Sequence, residues 1–351
     1  MSMRKLPHSL LVLFSSTICL PCLPAHHDTE EMIARFTQRI ESGKASADLH
    51  YRRAVEYRIL LQPAKAEADL HAALEYDPNY TPAHRELAQL LAKRGEPKLA
   101  VKAARHAILA SRNLNERAGA MILLARLLAA SGQPGAALRS CRDAFELKPP
   151  GEVEWYLLHA ELLALLNRDH ERPGILAAGY TATHSIVLRN AWVDALLDAG
   201  DFKTALPVIE HELSDSRLKS SWRLRHARAQ LGLGRTIDAG VTLTLCLEEL
   251  EKRIHPARPD ISLIAERGLA QALLGRIDAA RNDLTRALAG GADQWMIATL
   301  ERTLADAVCV AAVHVDGHGA TSSDQSLLTP AGGVSAVGHS PRAAEQGSRC
   351  R

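Results

Sequence analysis

Sixteen histidines and six cysteines in 351 residues are the side chains with which this chain could hold a metal or exchange electrons. Cys19 and Cys22 make a C-x-x-C, a redox spacing when it joins a strand to a helix. Here it closes an apolar run near the amino terminus and is expected to leave with it. His26, His27 and Asp28 could bind a metal beside a new amino terminus, although a solvated, mobile start is the favoured reading. His159-Ala160-Glu161 has the H-x-E of zinc deaminases but lacks their P-C-x-x-C. Gly232-Leu233-Gly234 opens like a dinucleotide loop, yet the third glycine and a preceding strand are missing. No phosphate-binding G-x-x-x-x-G-K-[ST], G-x-S-x-G elbow or H-E-x-x-H is present. No catalytic residue, metal ligand or cofactor is therefore assigned. A metal-dependent hydrolase built on the histidines stays as an alternative, weakened because no carboxylate, His and nucleophile recur at catalytic spacing.

The elements that would position these residues are helices. Hydrophobic residues make up 47% and charged residues 23%, a globular balance, and only 4% are aromatic, which disfavours sandwiches and barrels. A net charge of +2 argues against a nucleic-acid partner, whose phosphates demand a cationic surplus. Arg4 and Lys5 precede an uncharged apolar run from 9 to 20, then Pro21, Pro24 and Ala25. This order reads as a secretory signal over residues 1–25, so an exported, periplasmic or envelope protein is expected. No stretch elsewhere is long enough for a stable membrane span.

Aligning the small residues gives seven units beginning at Ala47, Thr81, Ala118, Val153, Ile186, Ser220 and Ile261. Their eighth residues are Ala54, Ala88, Ala125, Ala160, Val193, Ala227 and Gly268. Their twentieth are Ala66, Ala100, Ala137, Arg172, Ala205, Ala239 and Ala280. Small side chains on both members of a helix pair let the backbones approach closely. Between them, the fifteenth residue is Gly95, Gly132, Asn167, Gly200, Gly234 and Gly275 in units two to seven, the residue types that close a helix in the left-handed conformation. Pro78 and Pro149 stand at position 32, past the second helix. Cys141 and Cys246 occupy inward positions and read as packing residues.

This pattern resembles the tetratricopeptide repeat, a 34-residue helix-turn-helix. The resemblance implies an all-α fold, an α-solenoid of about seven such repeats over residues 47–292. Pentatricopeptide repeats, which bind RNA, are the alternative of similar length. Arg172 and Pro173 unsettle the register of unit four. The long insertion from 254 to 260 is the expected hinge. A stack of helix pairs has apolar ends that need covers. An N-terminal capping helix over 26–46, with Met32, Phe36 and Ile40, meets that need at one end. A C-terminal one over 293–310, with Trp295, Ile297, Leu300 and Leu304, meets it at the other. Residues 311–351 are Gly- and Ser-rich without an apolar period and are expected to be a disordered tail.

His50 and His84 share position 4, where the family commonly packs an aromatic or apolar side chain, so ring packing is expected of both. The resemblance further implies that positions 2, 5, 9, 12 and 13 of the first helices line a concave, ligand-facing wall. Those positions yield Tyr51, Arg58, Arg85, Gln89, Lys93 and Arg126 in the first three units, a largely cationic set. Units four and five yield Glu154, Glu161, Asn190, Asp194 and Asp198. Arg and Tyr commonly anchor interfaces. A non-enzymatic scaffold holding a protein or peptide with an acidic segment follows from the resemblance. Ordinary solvation of amphipathic faces is the competing reading.

Overall fold

In the computed structural model the described residues are 25–148, 151–217 and 219–318, and they form sixteen α-helices with no strand. The expected signal segment and the tail beyond 318 lie outside them. Helix α1 (Ala25–Arg39) runs into a π turn at Ile40–Lys44. Fourteen helices follow: α2 (Ala47–Ile59) paired with α3 (Pro63–Tyr76), α4 (Thr81–Lys93) with α5 (Pro97–Ala110), α6 (Leu114–Ala130) with α7 (Pro134–Leu147), α8 (Val153–Leu165) with α9 (Arg172–Thr183), then α10 (Ile186–Asp198) and α11 (Phe202–Asp215), followed by α12 (Ser220–Gly232) paired with α13 (Thr236–Arg253) and α14 (Ile261–Leu273) with α15 (Ile277–Ala289). Helix α16 is Gln294–His318.

The local causes are those of the period. The residues between paired helices take the left-handed conformation, with φ of 82° at Gly95, 72° at Gly132, 56° at Asn167 and 75° at Gly234. Unit one has Leu61 at the same place, with φ 55°. Three second helices open on Pro63, Pro97 and Pro134, where a missing N–H costs nothing. The small residues at positions 8 and 20, Ala54 with Ala66, Ala88 with Ala100 and Ala125 with Ala137, are fully buried between the paired helices. Helix α6 begins four residues before Ala118, because Asn113 accepts from the Glu116 N–H while Glu116 receives the Arg112 N–H, a reciprocal cap that starts the helix early.

The chain divides into two compact units, residues 1–199 and 200–351. The boundary falls inside the fifth predicted repeat, at Ala199 and Gly200, and not at the insertion 254–260 where a hinge was expected. Helices α13 and α14, on either side of that insertion, pack together within the second unit, since Leu243, Leu247, Leu250 and Leu263 share one buried cluster with Ile254 against it.

In the first unit α1 covers α2, burying Phe36. In the second, α16 covers α14 and α15 with Ile297, Leu300 and Leu304. Trp295 does not join them. It is 64% exposed, because two residues before Ile297 it points to the opposite side of the helix. The helix also continues to His318, eight residues into the segment expected to be tail.

An ion pair recurs where a terminal repeat meets its cover. Arg53 and Asp69 in unit one, and Arg267 and Asp283 in unit seven, occupy positions 7 and 23 and are joined by two hydrogen bonds of 2.6–2.8 Å each. Arg53 also donates to Thr37 of α1 at 3.0 Å. Units two and three have Leu87 with Ala103 and Leu124 with Ser140 there.

Candidate functional site

Every predicted groove residue falls in the first unit, on the first helices of repeats one to five. Arg85 and Gln89, one turn apart on α4, share a face. Gly119, Ile122 and Arg126 do the same on α6, which lies beside α4. Together with Asn115, Leu123, Lys148, Glu152, Glu154 and Trp155 they line a cavity of about 380 Å³. Its floor is apolar, since Ile122 and Trp155 are buried. Its charged lining is three cations, Arg85, Arg126 and Lys148, and two carboxylates, Glu152 and Glu154.

Arg85 is half-buried and forms no ion pair among the described residues; its Nε has no hydrogen-bond partner there. The group lies over Gly119, where a Cβ would stand 3.8 Å from the guanidinium carbon. A half-buried donor without an acceptor is unfavourable, and a ligand carboxylate that supplies one makes a charge-assisted bond. Arg126 is exposed and likewise without an ion pair among the described residues.

The other predicted residues have different settings. Tyr51 meets Tyr80 edge-on at 5.6 Å, and Tyr80 donates to Asp48 at 3.1 Å. Burial raises the Tyr51 hydroxyl above its ordinary pKa, with Glu86 adding to the effect and Arg85 and Arg58 opposing it. Burial, with Asp48, pushes Tyr80 up to about 12. Arg58 is not a spare cation, for it pairs with Glu86 at 2.6 Å. Lys93 stands exposed at the end of α4. On α8, Glu161 is exposed as a residue, yet burial of its carboxyl raises its pKa while Arg126 draws it down. Asn190 on α10 has a buried Oδ1 without a hydrogen-bond partner, Asp194 is half-buried, and Asp198 lies 3.6 Å from Arg172. The cavity thus gathers Arg85, Gln89, Arg126 and Glu154 and leaves the others outside it.

Gly119 and Ile122 sit at positions 2 and 5 of unit three, so the position rule already contained them and only the preference for charge passed them over. Trp155 and Lys148 had no signal in the repeat. They enter because α8 packs against α6 as well as α7, which sets Trp155 in the same lining as Lys148 and Arg126.

The candidate metal and redox residues are otherwise engaged. His50 is buried, stacked on Tyr76 at 5.4 Å with Nδ1 2.9 Å from Asp69, and His84 stacks on His106 at 5.6 Å. His159 is buried edge-on to Phe145 at 5.1 Å; burial, then Arg142, lowers its pKa to about 4. Glu161, two residues on, points to the other side of the helix, so the H-x-E fragment does not converge. Gly234 makes the α12–α13 turn, and the Phe202 ring lies against Gly232. Cys141 and Cys246 are buried thiols, pushed up to about 12 by burial. The side chains of His26 and His27 lie outside the described residues.

The helix pairs keep the tetratricopeptide-like spacing read from the sequence. No family model and no curated protein matches the sequence. Among solved structures, the chain is similar to a tetratricopeptide repeat protein from Parabacteroides merdae, at 15% identity over 79% of this chain and 99% of that one, TM-score 0.48. It is also similar to pilF of Pseudomonas aeruginosa, at 16% identity over 70% and 99%, TM-score 0.46. A third similar structure is YrrB, described as a TPR protein with an unusual peptide-binding site, at 19% identity over 51% and 91%, TM-score 0.41. Among the described residues no helix is long and apolar enough to cross a membrane.

Proposed function

We propose that this chain is a non-enzymatic, exported scaffold that holds a partner protein or peptide against the first helices of its first unit. The observation that carries the reading is the convergence of Arg85 and Arg126 on one cavity floored by Trp155 and Ile122, with the Arg85 Nε lacking an acceptor. A cavity with two guanidinium forks beside an indole suits an extended segment in which an acidic residue is followed or preceded by an apolar one. The stacked helices that form it are packed before any ligand arrives, so little ordering opposes binding.

The test uses fluorescein-labelled decapeptides in which Asp or Glu alternates with Leu or Phe, and matched peptides with Asn and Gln. The acidic set binds the full chain with an anisotropy change, and R85A or R126A weakens it about tenfold each, the scale of one charge-assisted bond at about 1.5 kcal/mol. Equal binding of acidic and amide peptides, or of wild type and both variants, refutes the reading. Export is checked separately by the mass of the mature amino terminus, expected to begin after Ala25.

A further inference from the structure

The second helix of repeat two presents a face that the groove does not use. Helix α5 carries Lys98, Lys102 and Arg105 and no acidic residue. With Leu109 they fall at i, i+4, i+7 and i+11, one line about 16 Å long at 1.5 Å per residue. The opposite face, Ala100, Ala103, Ala104 and Ala107, is buried, so the line points outward. All three cations are exposed, and none forms an ion pair among the described residues. The line ends in apolar side chains that water meets directly. Leu109 is 81% exposed, and Leu114, across a three-residue corner at the start of α6, is 57% exposed. Arg112 in that corner and Arg117 beyond it add positive charge; of the near acids, Asp77 is occupied by Arg112 at 2.6 Å and Glu116 accepts from the Arg112 N–H and the Asn113 amide.

On other repeats the equivalent outward line is not of this kind. In unit one it is Ala64, Ala68, His71 and Glu75, and in unit three Gly135, Arg139, Arg142 and Glu146, with Arg142 paired to Glu171. Unpaired cations that lead to exposed leucines match the chemistry of an anionic bilayer surface, where phosphates meet the charges and the acyl boundary takes the apolar tips. Soluble acidic protein would satisfy the charges but leave the two leucines without a use.

We infer that the outer face of α5, with the α5–α6 corner, is a peripheral docking surface for anionic phospholipid. Its cationic line lies on the second helix of its repeat, whereas the arginines of the cavity stand on first helices; the corner meets the cavity lining only where Leu114 adjoins Asn115. This inference stands independently of the peptide reading.

The experiment is sedimentation of the full chain with vesicles of phosphatidylcholine, with and without phosphatidylglycerol. Every variant retains the apolar segment from 9 to 20, whose own contribution cancels in the ratio. Binding is expected to be stronger with phosphatidylglycerol, and that increment is expected to weaken as salt rises. K98Q/K102Q/R105Q weakens it about a hundredfold, the factor that three surface cations at about 1 kcal/mol each represent. Leu109→Ser with Leu114→Ser also weakens it while the salt dependence persists. Far-UV circular dichroism of each variant, all changes being at exposed positions, is expected to match wild type. Undiminished vesicle binding by the triple-glutamine variant overturns the inference, as does loss of binding with no effect of the leucine pair. Soluble poly-glutamate that binds the wild type but not the triple variant, and displaces the vesicles, also overturns it by making acidic protein the occupant. R85A leaves vesicle binding unchanged.

Discussion

Replacing Leu61 by glycine should stabilise the protein. Leu61 stands where five of the other six repeats have glycine, with φ 55°, and its N–H donates to the Arg58 carbonyl at 3.1 Å while Gln62 donates to Tyr57 at 2.8 Å. Gly95 and Glu96 make the same two bonds to Ala92 and Leu91 in unit two. The backbone is thus committed to a left-handed cap whichever residue occupies it. For a residue with a Cβ that conformation costs about 1–2 kcal/mol. Glycine lowers the cost but frees the unfolded chain by about 0.4–1 kcal/mol. Because Leu61 is 86% exposed, truncation removes almost no packing. The net gain is about 0.5–1 kcal/mol. With a urea m-value of about 2 kcal/mol/M, the midpoint rises by about 0.25–0.5 M. Gly95→Ala inverts the same arithmetic and lowers the midpoint by a similar amount. Urea unfolding followed by far-UV circular dichroism reads both. A lower midpoint for Leu61→Gly, or no loss for Gly95→Ala, refutes the shared-cap reasoning.

Two further outcomes follow from buried ionisable groups. His159 has a folded pKa of about 4 against an ordinary 6.5, so the unfolded chain takes up the proton first as pH falls. The stability of the first unit is then full above pH 6.5 and declines to pH 4 by up to about 3 kcal/mol at 1.36 kcal/mol per pH unit; His159→Phe is expected to flatten that slope in acid titrations of urea stability. Asp283→Ala leaves Arg267 half-buried without its partner and is expected to cost about 3–5 kcal/mol, read as a lowered thermal midpoint of the second unit, whereas an exposed control such as Asp278→Ala leaves it nearly unchanged.

Legibility differed with the range of the interaction involved. The turn at Gly95 depends on the six residues from Leu91 to Glu96, and the pairing of Ala88 with Ala100 on a spacing of twelve, so a 34-residue period read along the chain located both. Trp295 failed on a finer scale: it belongs to the covering helix, but the side it faces is set by rotation against α14 and α15, which the apolar pattern averaged over. Arg58 failed for another reason. Position 12 points it toward the next repeat, and only the fold shows that Glu86 waits there at 2.6 Å.

From the sequence alone came the helix pairs and the turns between them, because each rests on backbone preferences and spacings that span one repeat; the wall on which Arg85, Gln89 and Arg126 stand came from the resemblance to the repeat family. The tertiary structure decided that these three share a cavity with Trp155 and Lys148, that Arg58 does not, and that the chain divides at Ala199 rather than at the 254–260 insertion. Those outcomes depend on how successive helices rotate and stack, which is settled by contacts between residues of different repeats and leaves no periodic trace in the sequence.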